Sequence, residues 1–379
     1  MATSIIPQRL AFANTLRGLA ALSVLVAHFL DGFWSSQDAI SGLINMPPLH
    51  LTMVSYFAPL HFSVHFSYGS FGVALFFLIS GFVIPFSLAG LSPQSFLIAR
   101  FFRIYPVYVI CLTISLLSIW LLGSIINDRT FPHSLEHIVI NALLLRGWFW
   151  SIPSIDGLSW TLEIEIVFYM IVAIMAPFII GSKSSGGYGI IVYALVGCLI
   201  CILGVNFASN INAPYQGILY YATFALPFTI FMFSGTFFYL YLNSKIGAAD
   251  LVSGLIASLF GFSVSMSAHP SLKELVIDSY YLAMIVFTAC FFAKDSFKSN
   301  FILDALAKIS YPLYAVHAIV GYSTMYVLVS KNIAPWIAAS CAFCIAISLA
   351  YVLHKAVELP TMRFGKNLAK KLYQKDPRP

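Results

Sequence analysis

Charge is scarce in this chain. Asp, Glu, Lys and Arg together make up 9% of its 379 residues, against 60% hydrophobic types. A soluble domain carries roughly 25% charged residues and covers itself with them. This chain has too few to face water, so a lipid bilayer must be its solvent. Long polar stretches are also missing, which excludes a separate water-soluble domain and leaves one membrane domain. Cysteine is sparse, and Cys111, Cys198, Cys201, Cys290, Cys341 and Cys344 all sit in apolar runs. The two C-x-x-C spacings are flanked by Leu, Ile, Ala and Phe, so they read as small packing residues and imply no disulfide framework. No cleaved leader is visible, because the first apolar run after Arg17 is long enough to stay as a span. No internal repeat appears, which argues against a transporter made of duplicated halves. No nucleic-acid partner is expected.

What recurs instead is a stretch of about 20 apolar residues, the length a helix needs to cross hydrocarbon. Such stretches lie at about 15–33, 69–88, 104–123, 158–180, 189–206, 216–242, 251–268, 275–293, 309–329 and 333–355. The expected fold class is an all-α integral membrane protein of about ten transmembrane helices. Lys and Arg then set its orientation. All but Arg129, Arg146, Lys273 and Lys331 of the 20 fall on the side of the chain ends, which predicts that both termini are cytoplasmic. Residues 1–357 form the expected membrane domain and 358–379 a short basic cytoplasmic tail. That tail holds Lys370-Lys371 and reads either as an anchor on anionic lipid or as a partner site. Two longer outer connections remain, 34–68 and 124–157. Ser134–Arg146 has helical periodicity but is too short to span, so it is expected at the interface, with Trp148 and Trp150 in the aromatic belt.

Ionisable residues inside a bilayer are costly and mark candidate sites. Arg17 and His28 are eleven residues apart on one face of the first span, roughly 16 Å along its axis. Asp31 follows three residues on and can hold the His28 ring in one tautomer. Singly, Arg17 also reads as a snorkelling anchor and His28 as a satisfied core residue. Arg100 and Arg103 are i, i+3 neighbours just before the third span, expected at the cytoplasmic face, where they can clamp one anionic group or simply anchor. Glu163 and Glu165 open the fourth span at about the expected depth of His28. Two residues apart, they face different directions, so only one can share a site with His28; the other suits plain complementation of the helix start. Ser310 and His317 share a face of the ninth span, with Pro312 in its expected first turn. His61 and His65 stand at i, i+4 without an acidic helix partner, and no metal is expected.

These residues fall into motifs that together resemble the acyltransferase 3 family, membrane enzymes that decorate bacterial O-antigens, other surface glycans, Nod factors and some antibiotics. The resemblance spans essentially the whole chain: Arg17 to His28; FGVALFFLISGF at 71–82; Arg100 and Arg103 followed by Tyr105-Pro106; Trp160, Glu165, Phe168 and Tyr169 in SWTLEIEIVFY; Ser310, Tyr311, Tyr314 and His317; and Glu358, Pro360 and Arg363. Many members carry a second Glu directly after the conserved one. Here Ile166 stands there and the extra acid is Glu163, so the resemblance favours Glu165. The chain ends about 25 residues after its last span, as expected of the stand-alone type without a fused esterase-like domain.

The resemblance implies an acyl-CoA co-substrate, usually acetyl-CoA, entering from the cytoplasm of a bacterial inner-membrane enzyme. Its phosphates would meet Arg100 and Arg103, with Arg17 guiding the donor. His28 would act as general base on a hydroxyl of a carbohydrate acceptor. Glu165 or Asp31 would orient His28 or steady its cation, and Trp160, Tyr169, Ser310, Tyr311 and His317 would contact substrate. An acyl-enzyme intermediate stays open. So do two rivals: a non-enzymatic carrier or flippase for a lipid-linked glycan, and a membrane acyltransferase of another fold.

Overall fold

A computed structural model describes residues 11–61, 63, 65–149, 152–181, 185–208, 215–273 and 275–375. Trp150 lies outside them, as do Arg9, Lys183 and Arg378, three of the Lys and Arg residues counted for orientation. Among the described residues every regular element is helical and no strand occurs. The main helices are α1 (Ala11–Val26), α2 (Tyr68–Leu88), α3 (Pro93–Ile119), α4 (Leu135–Ala142), α5 (Ser159–Ile174), α6 (Ser185–Ala208), α7 (Tyr215–Leu242), α8 (Ala248–Ala268), α9 (Ile277–Phe292), α10 (Phe301–Ser330), α11 (Pro335–Leu353) and α12 (Leu359–Lys375).

Among the described residues eight helices are long and apolar enough to cross a membrane, where ten spans were expected from the sequence. The two expected spans outside that eight are α5 and α9, each 16 residues long. Helix α5 carries two acids and stops at Met175, ahead of Pro177, where a second short helix, Ala176–Ile180, takes over. Both run beside longer neighbours. Trp160 of α5 meets Phe77 and Phe228, and Tyr280 of α9 meets Phe231.

Burial divides the spanning helices into two groups. The most apolar windows of α1, α2, α7 and α10 are 56% to 83% buried, while the segments containing α3, α6, α8 and α11 reach only 33% to 39%. The first four form the core. On α8, Val252, Ile256 and Phe260 recur one turn apart on the exposed side, a stripe suited to lipid. Within the core, glycines bring backbones into contact. Gly18 of α1 faces the Leu303 backbone of α10, Gly72 of α2 faces the Ala20 carbonyl of α1, and Gly81 of α2 lies against Met232 and Gly235 of α7. A Cβ at any of these would collide with main chain.

Several boundaries move outward from the sequence expectation, each for a visible reason. Ser92 caps α3, accepting from Ser95 N, with Pro93 in the first turn. The helix therefore starts eleven residues before 104, and Arg100 and Arg103 lie inside it rather than ahead of it. Asn300 caps α10 through Ile302 N and Leu303 N. Pro312 consequently falls deep inside the helix, not in its first turn, and leaves the Lys308 carbonyl without its usual helical donor. The basic segment after 358 is helical to Lys375. Its α12 packs along α3, where Phe364 meets Phe102 edge-on at 5.0 Å. Ser134 caps α4, the expected short outer helix, and Trp148 beside it is exposed.

Candidate active site

The arrangement around the ionisable residues starts from local backbone features. The end of α1 widens into a π-helical segment, Ala27–Gly32, that carries His28 and Asp31. Such bulges re-aim side chains and recur at functional sites. The start of α5 is fixed by Asp156, whose Oδ1 accepts from Leu158 N and Ser159 N at 2.9 Å. Asn141 of α4 holds the same connection through Ile155 N. Nearby, His133 and His137 pack edge-on, and burial beside a second imidazole pushes His133 down to about 4.

Two carboxylates two residues apart turn to different partners. Glu163 is buried and takes both Nε and a terminal nitrogen of Arg146, at 3.2 and 3.3 Å. Glu165 faces a cavity of about 630 Å³, bonded to Tyr169 OH at 2.5 Å and Ser80 Oγ at 3.4 Å. The same cavity is lined by Arg17, Arg103, Tyr169, Ser310 and Tyr311. Six predicted residues from four separate stretches of sequence thus meet in one space. Among the described residues, no carboxylate oxygen lies within 4.0 Å of a guanidinium nitrogen of Arg17, Arg100 or Arg103. Arg100, 8% exposed, lies over the Phe96 and Tyr169 rings at 5.2 and 5.4 Å. Charges withdrawn from water without an ion partner are expensive, so this group is electrostatically incomplete and suited to an anion.

His28 lies elsewhere. It lines a second pocket of about 590 Å³ with Trp160, Ser70 and Tyr280. Ser70 and Ser80 are ten residues apart on α2, about 15 Å along its axis. Glu165 therefore sits deeper than His28, at the level of Arg17, contrary to the depth read from sequence. The cause is that the first turn of α5 already flanks the His28 pocket, as Trp160 shows. Neither predicted acid holds the His28 ring. Its Nδ1 meets Tyr322 OH at 2.5 Å, while Asp31 Oδ1 meets His61 Nδ1 at 2.6 Å and His65 turns to Asp278. His317 packs edge-on to His28 with ring centroids 4.8 Å apart. Its Nδ1 donates to the Leu313 and Tyr314 carbonyls, which assigns the proton to Nδ1 and leaves Nε2 as a lone pair. That Nε2 is buried without a partner among the described residues.

The two compartments share Val73 and Tyr314 as walls. Tyr314 OH is 2.9 Å from Thr161 Oγ1. Sequence reasoning passed over Tyr322, Tyr314 and Thr161 as site residues, although Tyr314 stands inside a motif. A phenol five residues after His317 carries no charge to draw attention in an apolar helix. Among the described residues no cluster of three or more His, Cys, Asp or Glu side chains is placed to hold a metal.

Comparison with known proteins adds an independent line. A family model described as an acyltransferase domain, of the acyltransferase 3 type, matches residues 10–355. Acyltransferase MdmB of Streptomyces mycarofaciens is 30% identical over 169 residues, 43% of this chain and 38% of that protein. Nodulation protein 10 of Rhizobium leguminosarum bv. viciae is 26% identical over 138 residues, 33% of this chain and 38% of that protein. The matched segments thus span well under half of each relative. No solved structure matches.

Proposed function

We propose, from the premise that this chain belongs to the acyltransferase 3 family of acyltransferase domains, that it moves an acyl group from acyl-CoA to a hydroxyl of a carbohydrate. Acetyl-CoA is the donor proposed, and a surface polysaccharide or lipid-linked glycan the acceptor. The observation that carries this reading is the unpaired arginine group beside Glu165, one tyrosine ring away from a histidine pocket. Anionic phosphates complete the charge of Arg17, Arg100 and Arg103, and the slender pantetheine arm with its thioester reaches past Tyr314 toward His28.

In this scheme Tyr322 accepts the Nδ1 proton of His28, which leaves Nε2 free as a base. Nε2 takes the proton of the acceptor hydroxyl as its oxygen attacks the thioester carbonyl. The C–S bond then breaks, and the thiolate leaves with the proton from His28. Glu165 stays with the arginines, tempering their charge and positioning Tyr169. The basic-residue bias supports cytoplasmic termini in a bacterial inner membrane, which puts the arginines on the coenzyme side.

Replacing His28 with Ala tests the chemistry. The expected result is a fall of about 10²–10⁴ in acyl incorporation, with expression and glycan export unchanged. Lost export together with normal acylation of the remaining glycan would instead identify a carrier. Orientation is read by impermeant thiol labelling of Asn127→Cys and Ser244→Cys; the first should label from outside and the second from the cytoplasm. The opposite pattern refutes the orientation.

A further inference from the structure

A third cavity, of about 970 Å³, lies between the start of α3 and α12. Arg100, Arg103, Lys366 and Lys370 line it. Its remaining lining comes from Phe96, Met362 and small or apolar residues, and no carboxylate contributes. Arg103 lines this cavity and the Glu165 cavity alike, so the two are neighbours across one side chain. The pairs are arranged by helix geometry: Arg100 and Arg103 are i, i+3 on α3, and Lys366 and Lys370 are i, i+4 on α12, so each pair points one way. Gly365 seats α12 against Phe102 of α3, which fixes the lysines beside the arginines.

We infer that the C-terminal helix α12 is one wall of the coenzyme site and that Lys366 and Lys370 join Arg100 and Arg103 in binding the phosphates of the donor. The inference rests on the proposed acyl-CoA chemistry and deepens it. Four cations with no acid among them suit a ligand with several negative charges, and the 3′-phosphate and diphosphate of coenzyme A supply them. An anchor on anionic lipid would treat every lysine of the tail alike. A phosphate wall distinguishes Lys370, which lines the cavity, from Lys371, which does not.

The test is equilibrium binding of radiolabelled acetyl-CoA to the full chain in nanodiscs of neutral phosphatidylcholine, where lipid charge cannot contribute. Lys366→Ala with Lys370→Ala is expected to weaken binding at least tenfold. Lys371→Ala should leave it unchanged, and Arg at 366 and 370 should restore it. Dephospho-coenzyme A, lacking the 3′-phosphate, should bind more weakly to the parent protein and lose less affinity on the double replacement. S-acetyl-N-acetylcysteamine, which has no phosphate, should inhibit parent and double variant alike, and this also reports that the variant is folded. Equal affinity of parent and double variant for acetyl-CoA overturns the lysine wall while leaving the donor reading standing. Parent protein that binds no acetyl-CoA overturns both. Equal losses from Lys370→Ala and Lys371→Ala would show a diffuse effect of tail charge and overturn the wall.

Discussion

The Arg17–Arg103 cavity and the His28 pocket lie in one helical bundle but are made from opposite materials. On one side of Tyr314 stand fixed cations with a single carboxylate, Glu165, within the lining. On the other stand rings that hydrogen-bond or pack while neutral, with His28 against Tyr322 and His317. A third region sharpens the contrast: Arg146 and Glu163 form a buried, mutually satisfied ion pair. Charge that is paired holds structure together, and charge left open awaits a ligand. By that criterion we propose that Arg146 is architectural and Arg103 functional, although both are arginines in an apolar chain.

Three substitutions test whether the contrast holds. The largest effect on the folded state is expected from Arg146→Ala, which strands Glu163 in the interior. Stability should fall by about 3 kcal/mol, read as a lower melting temperature in detergent, with donor KM in the surviving protein unchanged. A raised KM at unchanged stability would erase the distinction. Arg103→Ala should do the opposite, raising donor KM about tenfold, the scale of a lost charged hydrogen bond, while the melting temperature holds or rises. A sharp loss of stability instead would make Arg103 structural. The smallest effect belongs to Tyr322→Phe. It removes one hydrogen bond from the His28 ring, worth about 1 kcal/mol, so kcat should drop severalfold with donor KM unaltered. An unchanged kcat would remove Tyr322 from the site.

Composition made the membrane class legible because hydrocarbon tolerates so little charge, and the helical segments fall close to the apolar runs. The ends were harder. Caps such as Ser92 and Asn300 lie outside the apolar windows, so α3 and α10 begin earlier than hydropathy suggests. Within the site, the charged members could be picked out because each ion in such a chain needs a reason. Their grouping could not. Whether Glu165 joins His28 or Arg17 depends on where α5 begins, and that is set by Asp156 in a connecting loop. Likewise Lys366 and Lys370 read as a generic basic tail until α12 is seen folded along α3.

The glycine seats at Gly18, Gly72 and Gly81 carry a consequence for how anything moves through this protein. They press main chain against main chain between α1, α2, α7 and α10, so the central helices cannot slide without separating. Carriers that alternate between two openings rock one group of helices over another; a bundle riveted at three crossings has little room for that. The Tyr314 ring, bonded to Thr161, is instead a wall common to both compartments, so a molecule reaching from one to the other would have to displace it. Fluorotyrosine at that position would report such a displacement by NMR.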